Sequence, residues 1–239
     1  MLHSVRVADN RILVTLFTRD FGVMTCGVGV SKSARRGGTG ALWQVLSVVD
    51  MVVDWRAGRD IQSVREARLA FAWESMTFHP VKVVVTLFLG EFLWHALRRE
   101  GVNVTLYDFL LNSLRWYDEV SEGFASFHLV LLVRLTKFLG FWPNVEGMDR
   151  LVGVGSGVVF DMMNGCFATV PPVHGQYLDG EVVRLLPVLL GMDYMQMQRV
   201  RLSRMERRRM LDVIVCYYRL HVPAFGELRS MDVLGEVFD

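Results

Sequence analysis

The chain has little of what marks secreted, membrane or nucleotide-hydrolysing proteins. Of its 239 residues only three are cysteine, Cys26, Cys166 and Cys216, odd in number and far apart. That spacing argues against a disulfide framework and suits reduced, mostly buried thiols. Although 52% of the chain is hydrophobic, no uncharged apolar run reaches the roughly 18 residues of a membrane span. Lys82 and Glu91 bound Val83–Gly90, Arg134 closes Ser126–Val133, and Asn164, Pro171, Pro172 and His174 interrupt the stretch 162–178. No transmembrane helix is predicted. The opening residues Met1–Arg6 lack the charged and apolar regions of a signal peptide, so a cytoplasmic protein is expected.

The motifs of familiar chemistries are also missing. There is no Gly-Lys-Ser/Thr of a P-loop and no Gly-x-Ser-x-Gly nucleophile elbow. Gly153, Gly155 and Gly157 sit close together but lack a preceding strand and following helix, and read as a flexible loop. Zinc sites want closely spaced ligand pairs. Cys166 has only His174 downstream, and Cys216 and His221 would lie about 140° apart around a helix. No metal and no cofactor is expected. Asp118, Glu119 and Glu122 cluster at a predicted helix end and read as a solvated face.

With 26 Lys and Arg against 25 Asp and Glu, the net charge is only +1. A nucleic-acid site must therefore come from local asymmetry. Two clusters supply it. Lys32, Arg35 and Arg36 form a glycine-bearing loop without acids, following strand residues Arg11 and Arg19. On a small barrel such a loop can track a phosphate backbone while a ring such as Trp43 stacks on bases. It reads equally as a solvated loop with Trp43 in the core. The second cluster is Arg199, Arg201, Arg204, Arg207, Arg208 and Arg209, opposed locally by Glu206 alone. On a helix Arg201, Arg204 and Arg208 fall within about 60° of one another, opposite Met210, Ile214 and Tyr217. This stripe suits phosphates or carboxylates, or else a solvated face paired with Asp161, Asp179 or Glu181. A capping box of Ser203 with Glu206 would begin the helix there and leave Arg201 outside it.

The pattern along the chain predicts an α+β protein. Residues 1–75 carry about five short β-branched and aromatic runs with turn signals between them, as in a small barrel. Residues 76–239 show three- and four-residue apolar spacing over Val81–Arg99, Thr105–Val120 and Phe124–Phe141, then again near Gly180–Leu190 and Arg201–His221. At about 143–175 a non-helical insertion containing Val158–Phe160, Asn164-Gly165 and Cys166-Phe167 reads as a small β-hairpin. Ser230 stands where a helix N-cap would, with Met231, Leu234 and Val237 on one face behind it.

Several motifs, in order and spacing, resemble one family. They are Leu2–Val7 with Leu13–Gly22, then Val28–Ser33 with Gly40–Leu46, then Phe88–Leu93 and Leu135–Asn144. Phe160-Asp161, Gly165–Phe167, Leu202–Arg204 and Tyr217–Phe238 complete the set. Together these are similar to the RecO family of recombination mediators, over nearly the whole chain. The resemblance implies an N-terminal OB-fold and a helical domain, and a non-enzymatic DNA-repair factor without cofactor. Such a factor binds single- and double-stranded DNA, anneals complementary strands, joins RecR, and helps load RecA onto DNA coated by single-strand-binding protein. Many members carry a four-cysteine zinc module after the Leu139–Pro143 motif; this chain does not, so its insertion resembles the zinc-less branch. The start also falls several residues short of the family's usual one, which would weaken barrel closure or expose a sheet edge.

Carried onto this sequence, the resemblance implies DNA-backbone contacts from Arg11, Arg19, Lys32, Arg35 and Arg36. It further implies a site for the acidic, apolar-ended tail of single-strand-binding protein. The residues expected there are Leu135 and Phe138 lining a groove, with Arg134 and Lys137 or the stripe Arg201, Arg204 and Arg208. The rivals are a protein-only adaptor with little DNA binding and, from another class, a hydrolase using Glu119 and Glu122.

Overall fold

A computed structural model describes residues 1–29, 42–146 and 157–237. Lys32, Arg35 and Arg36 and most of the glycine-rich stretch 153–157 lie outside the described residues. The N-terminal strands are β1 (His3–Ala8), β2 (Arg11–Thr18), β3 (Gly22–Gly29), β4 (Val49–Asp54) and β5 (Ile61–Leu69). Their order in the sheet is β1-β2-β3-β5-β4, antiparallel except for β3 beside β5. A single five-stranded sheet agrees with the OB-fold expected from the sequence. Alternation turns Val14, Leu16, Met24, Cys26 and Val28 inward, where they form the barrel core with Met1. The Cys26 thiol is wholly enclosed, and burial pushes its pKa up to about 11, so it is an unreactive packing residue.

The two end strands meet through the start of the chain. The nitrogen of Met1 donates to the Ser47 carbonyl at 2.7 Å, and the Leu46 nitrogen donates to the Met1 carbonyl at 2.8 Å. These bonds tie the residues ahead of β1 to the segment leading into β4. At the far turn, Gly22 has φ +67°, and an added Cβ would collide with the backbone of Gly101. The Val23 nitrogen donates to the Glu100 carbonyl at 3.1 Å beside it. Only glycine permits that approach.

Two helices follow in this unit, α1 (Pro80–Leu97) and α2 (Val104–Glu119). α1 has the length and mean hydropathy, 1.4, to cross a membrane by composition alone, yet 61% of it is buried inside the protein. It is the core helix of the unit. Its two charges have built partners. The Lys82 ammonium donates to the carbonyls of Tyr117 at 2.6 Å and Asp118 at 3.0 Å and to the Ser75 hydroxyl at 2.6 Å, closing the C-terminus of α2. The Asp118 carboxylate accepts from the backbone nitrogens of Glu74 and Ser75 at 2.8 Å and Met76 at 2.7 Å. Asp118 is therefore buried, not on the solvated face expected for it. Its sequence neighbours Glu119 and Glu122 are exposed.

Glu91, the second charge, accepts from the nitrogens of Arg229 at 3.0 Å and Ser230 at 2.9 Å and from the Ser230 hydroxyl. It caps the last helix, which is α7 (Ser230–Val237) once those of the second unit are numbered, and which packs on α1. Met1–Glu119 with the segment from Glu227 forms one compact unit and Val120–Gly226 the other. The helices α1 and α2 thus belong to the same compact unit as the barrel.

The second unit holds α3 (Phe127–Phe138), the hairpin β6 (Val159–Asp161) and β7 (Cys166–Ala168), and β8 (Tyr177–Leu178). α4 (Gly180–Gly191), α5 (Tyr194–Met197) and α6 (Arg204–His221) follow. The expected insertion is antiparallel, with Val159 opposite Ala168, and β8 adds to its other edge. Pro187 lies inside α4. Tyr218 is fully buried and donates to the Leu132 carbonyl at 2.7 Å, while Tyr217 donates to that of Phe141 at 2.9 Å. These tyrosines bind α6 to α3 and to the residues after it.

Candidate nucleic-acid interface

The outer face of the barrel follows from strand register. In antiparallel pairs, residues directly opposite share a face. Arg11 stands opposite Gly29, Leu13 opposite Gly27, and Thr15 opposite Thr25. Thr25 and Gly27 in turn align with Ile61 and Ser63. Gly27, Gly29, Thr15, Thr25 and Ser63 on this strip are small, beside the larger Leu13 and Ile61, so over the glycines another chain can approach its backbone closely. The guanidinium of Arg11 lies across it. A Cβ at Gly27 would stand 2.8 Å from Arg11 Nη2, so the glycine makes the notch in which the exposed arginine rests. Arg11 thus presents a fork of donors over these strands, a geometry suited to a phosphate or carboxylate.

Arg19 does not join it. The two are about 27 Å apart along the strand at 3.4 Å per residue, and Arg19 Nη2 pairs with Asp108 Oδ2 on α2 at 3.0 Å. Trp43, expected either to stack on bases or to sit in the core, is half-buried and packs against the core cluster. The described members of the first set therefore occupy opposite ends of one strand.

In the second unit the expected groove changes character. Leu135 is fully buried, because α3 is enclosed on nearly every side, and so it underlies the surface and lines no open groove. Phe138 is half-buried. Arg134 donates through Nε to the Met192 carbonyl at 3.2 Å, with its guanidinium 6.0 Å above the Tyr194 ring. Lys137 holds its ammonium 4.0 Å from the Trp142 ring centre, a cation–π contact. The capping box forms: Ser203 accepts from the Glu206 nitrogen and Glu206 accepts from that of Ser203 at 2.6 Å. α6 therefore begins at Arg204, and Arg201 precedes it. Arg204 and Arg208 remain exposed on the helix, whereas Arg209 pairs with Glu181 at 3.0 Å. Arg207 turns inward to the Leu202 carbonyl at 2.6 Å, and burial lowers its pKa. Arg201 and Arg207 line a cavity of about 560 Å³ together with Glu122, Gln198, Met197 and Leu202.

Residues 1–73 match the family model described as Recombination protein O N terminal, and residues 79–231 match Recombination protein O C terminal. The chain belongs to the RecO family. Relatives called DNA repair protein RecO include one from Phocaeicola vulgatus, 37% identical over 238 residues, covering 100% of this chain and 96% of the relative. One from Bacteroides fragilis is 35% identical over 240 residues, covering 100% and 97%. Another, from Porphyromonas gingivalis, is 31% identical over 246 residues, with the same coverage of 100% and 97%. It is a DNA repair protein of that family, and the OB-type barrel is its N-terminal part.

Within this RecO-family chain the structure also gathers residues that sequence reasoning passed over. Phe21, in the β2–β3 turn, stacks on Trp55, after β4, with ring centres 4.8 Å apart and planes 23° from parallel. Both rings are about half exposed, 49% and 53%. The two are far apart in sequence and neither belongs to a periodic run, so only the barrel's closure reveals the pair. Among the described residues, no three His, Cys, Asp or Glu side chains group so as to hold a metal ion.

Proposed function

We propose that this RecO-family chain acts as a recombination mediator that binds single- and double-stranded DNA and anneals complementary strands. With RecR it helps load RecA onto DNA coated by single-strand-binding protein. It works without catalysis, in the cytoplasm at the nucleoid. The observation that carries the reading is the β2–β3 face, with Arg11 laid across Gly27; the acid-free sequence holding Lys32, Arg35 and Arg36, which comes after β3 in the chain, supports it. Contacts of this kind go to phosphates, so they position the strand without reading its sequence. Asp118 of the acidic cluster is occupied by three backbone nitrogens, which favours a structural over a hydrolytic use of that cluster.

The second unit supplies the protein-facing role. Arg201, Arg204 and Arg208, with Arg134, Lys137 and Phe138, meet the acidic tail of single-strand-binding protein. Arginine forks take its carboxylates and the half-buried Phe138 meets its apolar end.

A salt titration of labelled single-stranded and duplex DNA tests the DNA-binding part. Affinity should fall steeply with salt. Replacing Lys32, Arg35 and Arg36 by alanine should flatten the slope by about one for each phosphate no longer neutralised. No measurable binding at low salt, or an unchanged slope in the triple variant, overturns the assignment.

A further inference from the structure

We propose that the Phe21–Trp55 pair is a base-stacking platform, which gives the barrel a preference for unpaired over paired strands. The inference rests on the DNA-binding reading above and adds to it a second site, at the opposite end of β2 from Arg11.

Two large rings standing half in water are costly to leave without a partner. Here they are also held in place. Trp55 opens the β4–β5 turn, and the turn is pinned by Gln62, only 3% exposed. Its side-chain amide accepts from the Arg56 nitrogen at 2.9 Å and donates to the carbonyls of Arg56 at 3.1 Å and Arg59 at 2.8 Å. A buried glutamine spending its amide on one short turn makes the loop a rigid bracket for the ring. Phe21 is fixed likewise: its backbone nitrogen donates to the Thr18 hydroxyl at 3.1 Å, and that hydroxyl donates to the Gly22 carbonyl at 2.9 Å. Both rings line a cavity of about 460 Å³ whose walls include Leu16, Met24, Tyr107 and Leu114. A planar apolar group lying there would lose water on both sides.

The charges around the pair identify the guest. Arg56 and Arg59 are exposed on the same turn, and no described ion pair engages either. Arg19, Arg65 and Arg68 are each matched by an aspartate, Asp108, Asp54 and Asp50. Asp20 and Asp60 are the exposed acids adjoining the rings and the turn. The site therefore offers stacking surface with two available guanidiniums but no net positive charge. That favours a nucleobase, whose own phosphates pass beside Arg56 and Arg59, over a purely anionic ligand. A base inside a duplex hides both faces and cannot use the platform. The span of about 24 Å along β2 from Arg11 to this turn suits a strand of several nucleotides, within the range of about 4–16 for one OB-fold.

Fluorescence anisotropy of the full chain with a labelled single strand and with the matching duplex tests the proposal. Trp55→Ala and Phe21→Ala should each weaken single-strand binding roughly ten-fold, leave duplex binding within about two-fold, and do so by the same factor at low and high salt. Trp55→Phe, which keeps a ring, should retain most of the affinity. A second measurement needs no variant: single strands carrying 5-iododeoxyuridine should photocrosslink to Trp55 in the unmodified protein. Unchanged single-strand affinity in both alanine variants, equal weakening on duplex, or crosslinks that avoid residues 21 and 55 each overturn the platform while leaving the basic-loop reading standing. Absence of binding to either DNA by the unmodified protein overturns both.

Discussion

Lys82 and Asp118 show how a single residue can misrepresent itself in the sequence. Asp118 precedes Glu119, with Glu122 close by, and looks like one more surface acid; its donors come from Glu74, Ser75 and Met76, more than forty positions away. Burial alone would raise its pKa, but the backbone donors hold it below the usual carboxylate range. Truncating it leaves those nitrogens without acceptors and takes away the carboxylate charge near the Lys82 ammonium, whose bonds to backbone carbonyls remain, so Asp118→Ala should cost about 3 kcal/mol or more in urea denaturation. Lys82→Met should cost less, about 1–3 kcal/mol, because the carboxylate keeps its backbone donors. Equal losses would show that the ammonium, not the backbone network, anchors the site. His128 makes the opposite case. It is wholly buried in the second unit, and burial, with Arg207 adding to it, lowers its pKa to about 3. The folded state thus keeps it neutral while the unfolded chain protonates near pH 6.5. Its contribution is intact above that pH and is lost progressively as the pH falls toward 3. Between pH 7 and 5 that loss amounts to about 2 kcal/mol, and His128→Leu should flatten that part of the stability profile.

At the scale of the element, Glu91 is the informative position. It projects from the apolar helix α1 and supplies the first turn of α7 with acceptors for the nitrogens of Arg229 and Ser230. Glu91→Ala should cost about 1 kcal/mol, as loss of an N-cap does, and amide exchange should rise across residues 229–235 with little change in α6. Exchange rising equally in α6 would mean that the two helices unfold together. The elements themselves are largely readable in the sequence. Alternation marks β2 and β3, three- and four-residue spacing marks α1 to α3, and Ser203 with Glu206 announces the start of α6, leaving Arg201 outside. Asn164-Gly165 marks the hairpin of β6 and β7. What periodicity cannot supply is which face of an all-apolar helix meets what. The family resemblance therefore puts Leu135 on a groove, although α3 is enclosed and Leu135 has no exposed surface. The Phe21–Trp55 stack escapes for a related reason: it joins two turns, and turn residues carry no period.

For the molecule as a whole, a net charge of +1 conceals local groups of cations in both units, to which the proposed function gives separate tasks. The barrel offers Arg11 over the β2–β3 face and the sequence of the Lys32–Arg36 loop; the second unit offers Arg204 and Arg208 on α6, with Arg201 ahead of it. If the first meets phosphates and the second the acids of a partner protein, the two should be separable by mutation. Replacing Arg201, Arg204 and Arg208 by alanine should leave binding to bare DNA within about two-fold, since rim charges away from the phosphate path contribute little. The same variant should lose most annealing of strands coated with single-strand-binding protein. Intact protein should show that same loss when the coating protein lacks its acidic tail, and the variant should then lose nothing further. The Lys32, Arg35 and Arg36 variant should fail on bare and coated strands alike. An arginine-stripe variant that anneals coated strands normally, or loses bare-DNA binding as fully as the loop variant, would place both tasks on one surface and refute the division.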